Sequence, residues 1–198
     1  MAEAAAKILL KIRQRGRYCG VRGVARGGSM MAVASTLIDE NAADRNLYLY
    51  DTFEGMPRPT DHDVRWNGQA AAEKFARVRT SEGGSDWCRA AIDEVKENLG
   101  GTGYPPELCL YIKGLVEETI PGNAPDRIAI LRLDTDWYQS TRHELEHLYP
   151  RLVSRGVLII DDYGDWQGAL PGCGRMDQVR CTILLNRIDT TGRIGIKL

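Results

Sequence analysis

Three aspartates carry most of the chemistry that can be read from this chain. Asp134 follows the apolar run Ile128-Ala129-Ile130-Leu131 through Arg132 and Leu133, and Asp161-Asp162 follow Gly156-Val157-Leu158-Ile159-Ile160. Asp161 comes 27 residues after Asp134, about the length of a strand, a crossover helix and a second strand. Two such strands can lie side by side in a parallel sheet, so the three carboxylates can meet at one point. Like charges that close raise one another's pKa unless a cation neutralises them. Hard oxygen donors favour Mg2+ or Ca2+ over zinc, and a shell completed by water is typical of Mg2+. A helix cap or a surface acid is the common reading of a single aspartate after a strand, and a weaker one for three at aligned positions.

A second group lies earlier. Gly23-Val24-Ala25-Arg26-Gly27-Gly28 is a glycine-rich turn before a helix pattern, where a ligand can approach the backbone and the helix N-terminus. Asp51 stands 23 residues past Gly28, at the end of the next apolar run, where Rossmann-like sheets place an acid on ribose hydroxyls. Together they point to a nucleoside-containing cofactor. The turn lacks the G-x-G-x-x-G spacing, which disfavours a nicotinamide oxidoreductase. Asp136, Trp137 and Tyr138 either shape a substrate pocket or pack their loop. His143 and His147 are four apart and read as one solvated helix face, and His62 reads as a surface histidine.

The elements that must hold these residues alternate. Strands are expected at Leu47–Tyr50, Leu108–Ile112, Ile128–Leu131 and Gly156–Ile160, and their continuous apolar character indicates a sheet buried on both faces. Helices are expected from Ser29 to Leu37, over Cys88, Ile92, Val95 and Leu99 with a stop at Gly100-Gly101, and behind a capping box at Thr141-Arg142-His143-Glu144. The resulting class is α/β, a Rossmann-like, doubly wound and mostly parallel sheet. A C-terminal antiparallel hairpin is built from Ile183-Leu184-Leu185 and Arg193–Leu198. The stretch from Thr52 to Gly68, with Pro57 and Pro59, reads as a long loop of the kind that forms lids.

Composition sets outer bounds. The 198 residues suggest one domain, 1–198, and 26 Lys+Arg against 27 Asp+Glu leave a formal charge of -1. That balance argues against nucleic acid as a partner, and no apolar run reaches the roughly 18 residues of a membrane span. Met1–Arg17 makes a poor signal peptide, and five cysteines without a C-x-x-C pair fit reduced thiols, so a cytoplasmic location is expected.

Several blocks together resemble the macrocin O-methyltransferase (TylF) family. They are Gly-Val-Ala-Arg-Gly-Gly-Ser-Met-Met (23–31), Leu-Tyr-Leu-Tyr-Asp-Thr-Phe-Glu-Gly-Met-Pro (47–57), Leu-Arg-Leu-Asp-Thr-Asp-Trp-Tyr (131–138) and Gly-Val-Leu-Ile-Ile-Asp-Asp-Tyr-Gly-Asp-Trp-Gln-Gly (156–168). The resemblance implies a class I methyltransferase fold with the N-terminal helical region truncated. It also implies S-adenosylmethionine- and Mg2+-dependent methylation of a sugar hydroxyl on a glycosylated natural product of macrolide or aminocoumarin type. By carry-over, Asp134, Asp161 and Asp162 hold Mg2+; methyl transfer to a weakly nucleophilic hydroxyl also needs a proton acceptor, and Asp134 is the candidate catalytic residue for it, although a metal-bound carboxylate is a weaker base. Gly23, Arg26, Gly27, Gly28, Ser29, Asp51, Thr52, Trp87 and Gly114 bind the cofactor, Asp51 at the ribose and Trp87 near the adenine. The implied partner is a small-molecule glycoside, and a homo-oligomer is left open. Two stretches depart from the family pattern. Arg17–Arg22 is basic and poorly strand-like, and Ala169–Arg175 carries proline and glycines where a helix belongs. They motivate a competing reading, a methyltransferase-fold protein that has lost catalysis and binds cofactor weakly.

Overall fold

The computed structural model describes residues 17–21 through their backbone, and residues 25–81, 84–167 and 183–198. Seven strands form one sheet in the order β3-β2-β1-β4-β5-β7-β6. They are β1 (Arg17–Val21), β2 (Leu47–Asp51), β3 (Cys109–Lys113), β4 (Ile128–Leu133), β5 (Leu152–Ile160), β6 (Asn186–Arg187) and β7 (Arg193–Ile196). The first five pair in parallel, while β7 runs antiparallel to both β5 and β6. The strand order reverses between β1 and β4, which opens a crevice there at the carboxyl ends of the strands.

The helices are α1 (Gly28–Asp39), α2 (Ala71–Val78), α3 (Ile92–Gly100), α4 (Val116–Thr119) and α5 (Tyr138–Leu148). Alternate residues of the inner strands feed two cores, because successive side chains of a strand point to opposite faces. Leu47, Leu49, Val157 and Ile159 pack with Met30, Val33 and Leu37 of α1 and Val95 and Leu99 of α3. Tyr48, Tyr50, Leu158 and Ile160 pack on the other face with Val116 of α4 and Leu145 and Leu148 of α5. A fully buried Leu or Ile contributes roughly 1.5–3 kcal/mol, so the sandwiched strands dominate the stability of this layer.

The fold corrects four local expectations. Arg17–Val21 is a strand and stands at the centre of the sheet, paired with β2 and β4. Tyr18 and Val21 are strand-favouring types, and backbone pairing on both sides carries the chain through Arg17 and Gly20. Helix α5 starts at Tyr138, so Thr141 lies buried in its first turn and is not the cap. Helix α3 starts at Ile92, leaving Cys88 outside it with φ 53, a left-handed conformation that ends any helix. In the hairpin, the first arm pairs through Asn186 and Arg187, just beyond Ile183-Leu184-Leu185. Gly23 and the stretch Ala169–Arg175 lie outside the described residues. No described helix is long and apolar enough to cross a membrane.

Candidate active site

Strands β4 and β5 end together, with Leu133 registered against Ile160, so the residues after them leave the sheet side by side. One carboxylate oxygen from each of Asp134, Asp136 and Asp162 lies within 4.8 Å of the other two. Two of these residues, Asp136 (φ 64) and Asp162 (φ 41), hold left-handed backbone, which only a well-determined surrounding keeps in non-glycine residues. Short turns supply it, as the Trp137 amide donates to Thr135 O at 2.7 Å and the Asp165 amide to Asp162 O at 3.0 Å.

The structure therefore brings Asp134 and Asp162 together and adds Asp136. Asp161 turns to Arg132. The Arg132 guanidinium donates through Nη1 to Asp134 Oδ2 at 2.7 Å and through Nη2 to Asp161 Oδ2. Its side chain is only 10% exposed and that of Asp134 only 8%, which takes this ion pair well out of water. Burial pushes the Asp134 carboxyl up to about 8, and the charges of Asp161 and Asp162 add to the effect. Arg132 opposes it without cancelling it. An all-oxygen donor set that crowds negative charge this strongly fits a hard divalent cation.

The glycine turn sits across the crevice at the N-terminus of α1. Arg26 (φ 57) and Gly27 (φ 94) are left-handed, and helix α3 holds them. Asn98 Nδ2 donates to Arg26 O at 2.8 Å, and Arg26 pairs with Glu94 at 3.2 Å. A side chain added at Gly28 would meet nothing within 4 Å, so open space adjoins the helix N-terminus before Ser29. Asp51 ends β2, and its Oδ1 accepts from the Phe53 amide at 2.8 Å, which fixes the carboxylate's direction. Thr52 Oγ1 donates to Gly55 O at 2.7 Å, and the Gly114 amide donates to Asp51 O at 3.0 Å. A narrow cavity of about 20 Å³ lined by Asp51, Thr52, Gly114, Thr135 and Ser140 links the ends of β2 and β4.

Trp87 packs against the tryptophans beneath the loop that follows Asp51. Its ring meets Trp137 at 5.5 Å and Trp166 at 6.0 Å, with the Lys74 ammonium 3.9 Å from its centre. Met56, Ala71, Trp137 and Trp166 form a small third core beneath the loop 52–70. Gly55 (φ 84) allows that packing, since a Cβ there would lie 1.8 Å from Ser85 O. Asp63 ties the loop to the aspartate site. Its Oδ1 accepts from the Tyr138 amide at 2.9 Å, and its Oδ2 accepts from the Thr60 amide and Oγ1. Trp137 Nε1 also donates to Pro57 O at 3.0 Å.

Sequence reasoning passed over Arg132 and Asp63 and gave Asp136 only a packing or pocket role. A lone arginine inside the apolar run 128–133 and the Asp-x-Asp spacing at 134–136 were the available signals. His62 is exposed with its ring 5.5 Å from Tyr138. His143 and His147 are half-buried; His143 Nε2 is 2.9 Å from Ile120 O at the end of α4, and the His147 ring lies 4.4 Å from that of His143, so the expected solvated face is partly covered.

Comparison with known proteins agrees with this architecture. The O-methyltransferase NovP superposes with a TM-score of 0.82 at 24% identity, covering 99% of this chain and 77% of that one. The calicheamicin methyltransferase CalS11 superposes with a TM-score of 0.73 at 19% identity, covering 98% of this chain and 76% of that one. In sequence, the chain is 33% identical over 141 residues to the 8-demethyl-8-(2,3-dimethoxy-alpha-L-rhamnosyl)-tetracenomycin-C 4'-O-methyltransferase of Streptomyces olivaceus, covering 71% of this chain and 51% of the relative. It is 31% identical to the demethyldecarbamoylnovobiocin O-methyltransferase of Streptomyces niveus, covering 71% of this chain and 50% of the relative. The chain thus spans about half the length of these curated relatives. The family model described as Macrocin-O-methyltransferase (TylF) matches residues 19–194. With that match running from β1 to β7, across the strands that carry every aspartate described above, the chain belongs to the macrocin-O-methyltransferase family.

Proposed function

We propose that this chain transfers a methyl group from S-adenosylmethionine to a sugar hydroxyl of a glycosylated natural product, with Mg2+ required. The observation that carries the reading is the convergence of Asp134, Asp136 and Asp162 beside the β1–β4 crevice. The two relatives named above are O-methyltransferases, one of them named for a rhamnosyl-tetracenomycin.

S-adenosylmethionine supplies an electrophilic sulfonium methyl group. Gly27, Gly28 and Ser29 offer backbone at the open N-terminus of α1, and Asp51 presents its carboxylate to ribose hydroxyls, with Thr52 and Gly114 beside it. Asp134, Asp136 and Asp162 would hold the cation. When bound, Mg2+ supplies Lewis-acid polarisation and a fixed direction for the acceptor oxygen. Asp134 accepts the hydroxyl proton at a carboxylate oxygen beside the atoms that would hold the cation, which makes it a weaker base than a metal-free carboxylate and leaves the acceptor hydroxyl to be acidified by the metal. Asp161 holds Arg132 and so steadies Asp134. Loop 52–70, with Trp87, Trp137 and Trp166 packed beneath it, excludes water beside the aspartates. The strand whose weak pattern motivated the competing, inactive reading is present in the sheet.

The test is methyl transfer to a panel of deoxysugar glycosides with Mg2+ and with EDTA. Product forms with Mg2+ and is lost with EDTA, and Asp134→Ala loses turnover while keeping S-adenosylmethionine affinity. Equal activity in EDTA would overturn the reading.

A further inference from the structure

Loop 52–70 and α2 enclose a groove of about 770 Å³ that the chemistry at the aspartates does not use. Its size falls among ordinary small-molecule sites of roughly 300–1,000 Å³. Pro59 of the loop and Phe75 and Ala76 of α2 give it apolar walls, while Arg58, Arg79 and Thr80 supply the polar groups. Asp61 contributes one opposing charge. Arg58 and Arg79 are exposed, and among the described residues neither forms an ion pair.

The loop wall of the groove is tied to the residues that follow Asp136. That wall runs from Arg58 to Asp61, and the residues at either end of that stretch touch the start of α5. Pro57 O accepts from Trp137 Nε1, and Asp63 Oδ1 accepts from the Tyr138 amide. Helix α2 docks at the same point, with the Ala71 amide donating to Asp63 O at 2.9 Å. An acceptor whose sugar reaches Asp134 would have its remaining bulk directed along this wall.

We propose that the groove binds the part of the acceptor beyond the methylated sugar, and that this part is anionic. This rests on the reading that a sugar hydroxyl is methylated. Two planar guanidinium forks match the oxygens of a phosphate or carboxylate, and the apolar wall suits a nucleobase or aromatic body. The shared chemistry is an oxyanion, carried as the diphosphate of a nucleotide sugar or the carboxylate of an acidic aglycone.

Calorimetry on the full chain, without methyl donor, tests this with thymidine diphosphate, 4-carboxyphenyl α-L-rhamnoside and neutral phenyl α-L-rhamnoside. At least one anionic probe should bind about ten-fold more tightly than the neutral one, and added salt should weaken it. Arg58→Gln and Arg79→Gln should each cost that probe about ten-fold and the double variant more, with the neutral probe and S-adenosylhomocysteine changing less than about two-fold. The tighter anion identifies the source, thymidine diphosphate for a nucleotide sugar and the carboxyphenyl glycoside for an acidic aglycone. Anions that bind no better than the neutral probe, or a double variant without effect, overturn the proposal. S-adenosylhomocysteine titrated alone separates the failures. Its binding beside indifferent anions removes only the groove assignment, whereas its failure to bind removes the methyltransferase reading and leaves the anion result to stand by itself.

Discussion

At the residue scale, the site is governed by how much negative charge a dry pocket tolerates. Asp134 is buried beside Asp161 and Asp162, and Arg132 offsets only part of the cost. Its carboxyl rises from 3.8 unfolded to about 8 folded, so between those values the folded chain binds more protons than the unfolded one. Stability of the metal-free protein is therefore greatest at low pH with respect to this group and falls as pH rises through about 8, by at most about 1.4 kcal/mol per pH unit. Urea unfolding in EDTA from about pH 4 to pH 8 should show that decline relative to Asp134→Asn, and Mg2+ should offset it in the unsubstituted chain. A parallel pH dependence in the two proteins would contradict the burial of charge at this position. Strand ends made Asp134 and the Asp161-Asp162 pair legible in the sequence. Which member of the pair faces the site was not, because adjacent residues leave a strand toward opposite sides and an identical pair gives no phase. Arg132 was hidden for a similar reason, since its importance comes from the burial of one strand position.

At the element scale, the start of α5 decides where Asp136 sits, and Asp63 decides the start of α5. The sequence offers a plausible capping box at Thr141, yet the helix begins four residues earlier, where a carboxylate from a distant loop accepts from the Tyr138 amide. Nothing local in the sequence announces such a cap. Asp63→Ala removes a buried acceptor of three hydrogen bonds and should cost about 1–3 kcal/mol in urea unfolding. It should also weaken Mg2+ binding, with Asp63→Asn retaining part of both. An unchanged metal affinity in a destabilised Asp63→Ala protein would confine Asp63 to fold maintenance. Strand β1 shows the converse limit. Its charge and its glycine obscure the strand preference of Tyr18 and Val21, and the partners on both sides that make it a strand are remote in sequence.

At the scale of the whole molecule, the apolar runs sufficed for the parallel sheet and its two-sided burial, because strands buried on both faces leave an unbroken hydrophobic signature. The third core beneath loop 52–70 was not legible, since its tryptophans are scattered through the chain and share no period. The proposed function depends on Asp134, Asp136 and Asp162 holding one divalent cation. The direct measurement is Mg2+ titration by calorimetry on the intact chain and on single Asp→Asn variants at positions 136, 161 and 162. One saturable site is expected, abolished by Asp136→Asn and Asp162→Asn and weakened far less by Asp161→Asn. No saturable binding, or a site that survives Asp136→Asn and disappears with Asp161→Asn, would contradict it.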